Sequence, residues 1–185
     1  MQNIKSLIKK ENNKKVIFTA GPASLISTNL SNIKPCFGRG DEEYLKTENK
    51  VLSKIKKIAG GFLNISRFQG SGSLAIEIMM ANYLFGKILI IDTGYYSQRL
   101  YSISNQHKKL FGYIKKVDQI NWKDLSSFQK KYDWIVACPT ETSCGLKIPI
   151  KNLSKFAKKC KSKLMLDATG SIGLEKDHEL ADVIY

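Results

Sequence analysis

The chain has 185 residues, 43% hydrophobic and 25% charged, a mixture that suits a globular domain with a real core and excludes a disordered tail, a collagen-like repeat or a small disulfide scaffold. The formal net charge is +14, yet of 30 basic residues only Arg39, Arg67 and Arg99 are arginine; lysines spread along the whole chain speak for a solvated surface and against nucleic acid as a partner. The apolar runs 87–91 and 134–138 are far shorter than the ~20 residues of a membrane-spanning helix, and the basic stretch 1–11 has no apolar core of a secretory signal.

In chain order, residues 1–16 read as a basic arm and 17–185 as one domain. Asp41 is the predicted N-cap of a helix over 42–58, in which Leu45, Leu52, Ile55 and Ile58 keep helical spacing. Gly60-Gly61 ends it. A strand is predicted over 62–68, then a tight turn and an apolar helix over 74–85. Strands follow at 87–92, 110–114, 133–137 and 163–167, with helices over 97–107, 121–131 and 151–161, and a last strand over 181–185. This alternation is the rhythm of an α/β domain with a mainly parallel sheet flanked by helices. Cys36, Cys138, Cys144 and Cys160 show no CxxC spacing and no pairing with the two histidines. No metal site is expected, and free thiols in a reducing cytoplasm are.

Four polar segments punctuate these elements. Gln69-Gly70-Ser71-Gly72-Ser73 opens a helix. Its small residues let the backbone approach an anion, and the helix start offers unpaired N–H groups, so it reads as a phosphate cradle or as a ligand-free tight turn. Gly70-x-Gly72-x-x-Ala75 with Asp92 downstream also fits a dinucleotide fingerprint, but Asn64–Gln69 is too polar for the buried first strand of such a fold. Asp167 ends a buried-strand pattern, and Ala168–Gly173 supplies small residues after it. A carboxylate at that strand end is placed to pair with a cationic ring nitrogen, or to cap the turn that follows. Tyr95, Tyr96 and Arg99 follow the Asp92 strand, with core packing as the alternative for the tyrosines. Glu141, Thr142 and Ser143 follow Cys138, with capping as theirs.

Together with Ala20-Gly21-Pro22 and Gly38-Arg39-Gly40-Asp41-Glu42-Glu43-Tyr44, these segments make six motifs in order: those two, Gln69–Ala75, Gly94–Arg99, Glu141–Leu146 and Asp167–Gly173. The set resembles the class V aminotransferases, pyridoxal phosphate enzymes of fold type I, over nearly all of 17–185. The resemblance implies their large domain, with pyridoxal 5'-phosphate as cofactor. By the family pattern Ser71, Gly72 and Ser73 hold its phosphate, and Tyr96 stacks on the ring. Thr142 lies near the phenolic oxygen, with Ser143 beside it, and Thr169 packs on the other ring face. Asp167 is the catalytic acid paired with the ring nitrogen, and Ala20–Pro22 lies near the substrate.

The implied reaction moves an amino group from a small donor (2-aminoethylphosphonate, serine or alanine) to a 2-oxo acid (pyruvate or glyoxylate), in a cytoplasmic homodimer. Segments 69–73 and 40–44 lean toward the 2-aminoethylphosphonate branch. In the family pattern the Schiff-base lysine comes shortly after the 181–185 strand, followed by a small domain with a substrate-gripping arginine. The chain is therefore expected to be a truncated piece of such an enzyme, inactive alone. The alternative is a non-catalytic cofactor-binding or interaction protein.

Overall fold

The structure, a computed structural model, describes residues 38, 40–61 and 64–185; the arm over 1–16, the Ala20–Pro22 loop, Cys36 and Arg39 lie outside them. The chain divides into two compact units between Val51 and Leu52, a boundary inside the first described helix.

That helix, α1 (Glu42–Ile58), has the bounds its pattern predicts. Asp41 Oδ1 accepts the Glu43 N–H at 2.8 Å, satisfying one of the donors a helix start leaves free. Glu42 and Glu43 stand at the positive end of the helix dipole and Lys56 and Lys57 at the negative end, the favourable arrangement. Gly60 and Gly61 take φ of +99° and +94°, and their N–H groups return to the carbonyls of Lys57 and Lys56. This is a Schellman ending, which needs the left-handed backbone that glycine tolerates.

Of the strand expected over 62–68, residues 62 and 63 lie outside the described residues, and 64–68 carry no regular structure. Asn64, Ser66 and Arg67 offer little apolar face, and among the described residues no strand lies alongside to complete a ladder, which an extended run needs. α2 (Gly72–Tyr83) follows, then β1 (Gly86–Asp92), α3 (Tyr95–Phe111) and β2 (Ile114–Asn121). α3 overruns the strand start expected at 110, because its end is fixed by Gly112 at φ 70°. The helix expected over 121–131 shrinks to a 3-10 turn at Trp122–Asp124. Both the N–H and the hydroxyl of Ser127 bond the Asp124 carbonyl, a local arrangement that competes with a helical ladder. Next come β3 (Trp134–Ala137), a short hairpin of β4 (Thr140–Glu141) and β5 (Leu146–Lys147), α4 (Ile150–Lys159), β6 (Lys163–Leu166) and β7 (Val183–Ile184).

The main sheet runs β2-β1-β3-β6-β7, every pair parallel, as the alternating pattern predicts. Both faces are covered. Ile88 and Ile90 of β1 pack with Met80 of α2 and Leu100 of α3, while Leu89 and Ile91 pack with Leu153 and Phe156 of α4. All four β1 side chains have 0% exposure, and burial of each contributes about 1.5–3 kcal/mol. The chain steps from β1 to β2 on one side, then crosses to β3 on the other side of β1. The direction of winding reverses there, and in open α/β sheets ligands bind at the carboxyl ends of strands beside such a switch.

Candidate active site

Because the strands are parallel, Asp92 at the end of β1 and Thr93 after it, Cys138 after β3, Asp167 after β6 and Tyr185 after β7 all lie at one edge of the sheet. α2 runs back across the sheet before β1 begins, which brings its first residues to the same edge. There the Arg99 guanidinium donates to Ser73 Oγ at 2.6 Å, tying α2 to α3. Three of the four polar segments thus follow strands; the Gly70–Ser73 turn reaches the edge with no strand before it among the described residues, which weakens the dinucleotide fingerprint.

At the start of α2, Ser71 is the N-cap, its Oγ accepting the Leu74 N–H at 3.3 Å. Among the described residues, no acceptor meets the N–H groups of Gly72 and Ser73, so two donors at the positive end of the helix stay open.

Asp167 is 5% exposed. Its Oδ1 accepts the Thr169 N–H at 3.0 Å, so the capping role is realised with one oxygen. No Lys, Arg or His side chain pairs with it among the described residues. The buried Tyr185 hydroxyl faces it without completing a hydrogen bond; burial first, then the Asp167 charge, hold that phenol well above its ordinary range. Burial, followed by the charges of Asp167 and Glu141, pushes the Cys138 thiol up as well, away from the thiolate that a nucleophile needs.

Tyr95 and Tyr96 are exposed, their rings 5.3 Å apart and edge-on, so neither serves the core. Thr142 and Thr169 are both exposed. A Cβ on Gly170 would stand 2.9 Å from the Thr140 carbonyl and 3.0 Å from Thr142 Cγ2, so only glycine lets the loop after Asp167 meet the hairpin this closely. That loop is pinned from behind. Ser171 Oγ and His178 Nε2, both buried, lie 2.9 Å apart. Lys147 pairs with Glu175 at 2.5 Å and Lys151 with Asp177 at 3.5 Å. Burial pushes the His178 pKa down, outweighing the acids around it.

The residue that sequence reasoning underrated is Glu141, with 0% exposure. Its carboxylate accepts the N–H groups of Tyr96 at 3.2 Å and Ser97 at 3.3 Å. It also accepts the Ser143 hydroxyl at 2.5 Å and the Thr93 hydroxyl at 3.4 Å. Ser143 Oγ in turn accepts the Tyr95 N–H at 3.2 Å. The hairpin thus caps the whole first turn of α3. A signal was present: Gly94-Tyr95-Tyr96 starts a helix with no Ser, Thr, Asp or Asn at the cap, so the cap has to come from elsewhere. The sequence places Arg99 in a motif but carries no sign of its reach to Ser73.

A cavity of about 480 Å³, lined among others by Trp122, Lys123, Lys155 and Phe156, contains none of the candidate residues. Among the described residues no group of His, Cys, Asp and Glu side chains is arranged to hold a metal ion, and no helix is long and apolar enough to cross a membrane.

No protein-family model matches the chain. Among curated proteins it is 26% identical over 172 residues to an uncharacterised aminotransferase of Methanocaldococcus jannaschii, covering 86% of this chain and 44% of that protein. It is 24% identical over 144 residues to the 2-aminoethylphosphonate–pyruvate transaminase of Klebsiella pneumoniae, covering 72% and 39%. The chain spans less than half the length of these relatives. Among solved structures, the pyridoxamine–pyruvate aminotransferase of Mesorhizobium loti superposes with a TM-score of 0.77 at 19% identity, covering 92% of this chain and 46% of that one. In sequence, then, the chain is a relative of the aminotransferases, and over the part that it covers it has their fold.

Proposed function

We propose that the chain forms the pyridoxal 5'-phosphate-binding part of a transaminase that moves an amino group from a small donor to a 2-oxo acid such as pyruvate or glyoxylate. Asp167 carries the reading: a buried carboxylate with no cationic partner among the described residues, at the carboxyl edge of a parallel sheet. A lone buried charge is costly, and a protonated pyridine nitrogen is the partner that this place and chemistry suit.

The other residues fit the same group. The open N–H groups of Gly72 and Ser73, with the Ser71 and Ser73 hydroxyls, suit a phosphate. The exposed Tyr96 ring suits one face of a planar heterocycle and Thr169 the other, and the Thr142 hydroxyl suits its phenolic oxygen. When bound, the cofactor supplies an electron sink for the pair left by a departing substrate Cα proton. Asp167 would keep the ring nitrogen protonated, acting from a buried place where charge is weakly screened. Tyr96 and Thr169 would exclude water from the ring faces. Among donors, 2-aminoethylphosphonate is supported by the Klebsiella relative and by segments 69–73 and 40–44; serine and alanine belong to the same donor class. A homodimer is the proposed assembly of the whole enzyme.

The test is binding of pyridoxamine 5'-phosphate, whose amine does not condense with the many surface lysines as an aldehyde would. Saturable binding at one site, displaced by pyridoxal 5'-phosphate and lost in the Asp167→Ala, Ser73→Ala double variant, is expected. Absence of saturable binding by the unaltered chain would overturn the reading.

A further inference from the structure

Glu141 is a carboxylate with 0% exposure, and no Lys, Arg or His side chain pairs with it among the described residues. Burying such a charge costs free energy unless hydrogen bonds and dipoles replace the lost water. Here the replacement comes from named donors: the N–H groups of Tyr96 and Ser97 at the positive end of α3, both donors of Ser143, and the Thr93 hydroxyl. Two of these bonds bear on residues of the candidate site. The carboxylate grips the backbone N–H of Tyr96 itself, so it fixes the point from which that ring projects. Its Oε1 also takes the Ser143 N–H at 3.3 Å and the Ser143 hydroxyl at 2.5 Å, closing a turn around Thr142.

The approach of the carboxylate to α3 requires a glycine. Gly94 has φ 148°, and a Cβ there would stand 2.9 Å from Glu141 Cγ and 3.1 Å from Ser143 Oγ. The helix start is therefore shaped around this side chain.

We propose that Glu141 is a positioning residue of the candidate cofactor site, a single buried carboxylate that locks the Tyr96 ring and the Thr142 hydroxyl in fixed relation to each other. The proposal rests on the cofactor reading above. Its charge is matched by N–H and O–H donors that an amide cannot fully satisfy, because the NH2 half of a glutamine would face donors.

A double-mutant cycle on pyridoxamine 5'-phosphate binding tests it, with every variant held well below its melting midpoint. Tyr96→Ala is expected to weaken binding about fivefold, the worth of one aromatic stack, and Glu141→Gln to weaken it by a similar factor. Glu141→Gln, Tyr96→Ala together should be weaker than Tyr96→Ala alone by much less than Glu141→Gln costs by itself, because Glu141 acts largely through that ring and only in part through Thr142. The fluorescence of the bound pyridine ring adds a second readout: quenched by Tyr96 in the unaltered chain, it should brighten in Glu141→Gln to the Tyr96→Ala level. If Glu141→Gln does not fold, Gly94→Ala, which presses on the same carboxylate, takes its place in the cycle with the same expected result. Independent losses that multiply to about 25-fold, or a Glu141→Gln chain that binds as the unaltered one does, would overturn the positioning role and leave the cofactor reading intact. No binding by the unaltered chain would overturn both.

Discussion

Two of the helices that begin at the carboxyl edge of the sheet, α2 and α3, treat their N-termini in opposite ways. α3 has every N–H of its first turn bonded: Tyr95 by Ser143, Tyr96 and Ser97 by Glu141, all from a hairpin some 45 residues on. α2 leaves the Gly72 and Ser73 N–H groups open and has a guanidinium beside them, that of Arg99 on Ser73. Both ends carry the same partial positive charge. One is filled by the protein's own anion, and the other has a cation beside it where an internal anion would otherwise stand. A helix start is thus informative only once its partners are known, since glycine stands at the start of both.

The largest expected effect comes from emptying the filled end. Glu141→Leu removes the acceptor of buried donors on α3, Ser143 and Thr93, and should cost about 3–5 kcal/mol in urea unfolding. A cost under about 1 kcal/mol would mean that water replaces the carboxylate, and the contrast with α2 would vanish. Gly94→Ala tests the same end by crowding it; strain at φ 148° together with the clash should cost about 2 kcal/mol. At the open end, Ser71→Ala loses one capping bond and should cost only about 1 kcal/mol. An equal cost at both ends would break the comparison.

The smallest effect concerns the loop that follows Asp167. The folded chain holds His178 below its ordinary pKa by burial, so the unfolded chain binds more protons as the pH drops. Stability should be full above about pH 6.5 and fall as the pH falls below it toward the depressed folded value. His178→Gln should flatten that fall; an unchanged pH profile would show that the Ser171–His178 contact does not set it.

How much of this was legible in the chain follows from where the determining contacts lie. α1 could be read to the residue because its cap, Asp41, and its stop, Gly60-Gly61, are local. β1, β3 and β6 were legible because strands covered on both faces are short apolar runs. The run 64–68 was not, since a strand exists only with a neighbour and none pairs with it among the described residues. The 121–131 helix failed at Ser127, whose bonds to Asp124 suit a turn equally well. At the candidate site, Asp167 was readable as an acid ending a buried strand. The Arg99–Ser73 bond spans 26 residues and the Tyr96–Glu141 bond 45, and no local pattern encodes either.

The most direct test of the contrast follows backbone amide resonances while pyridoxamine 5'-phosphate and, separately, pyridoxamine are added. The phosphate-dependent part of the shifts should be confined to Ser71–Leu74, with the Tyr95–Ser97 amides showing none, because their donors are already taken by Ser143 and Glu141. A phosphate-dependent shift at Tyr95–Ser97, or none at Gly72 and Ser73, would contradict the assignment of one closed and one open helix end.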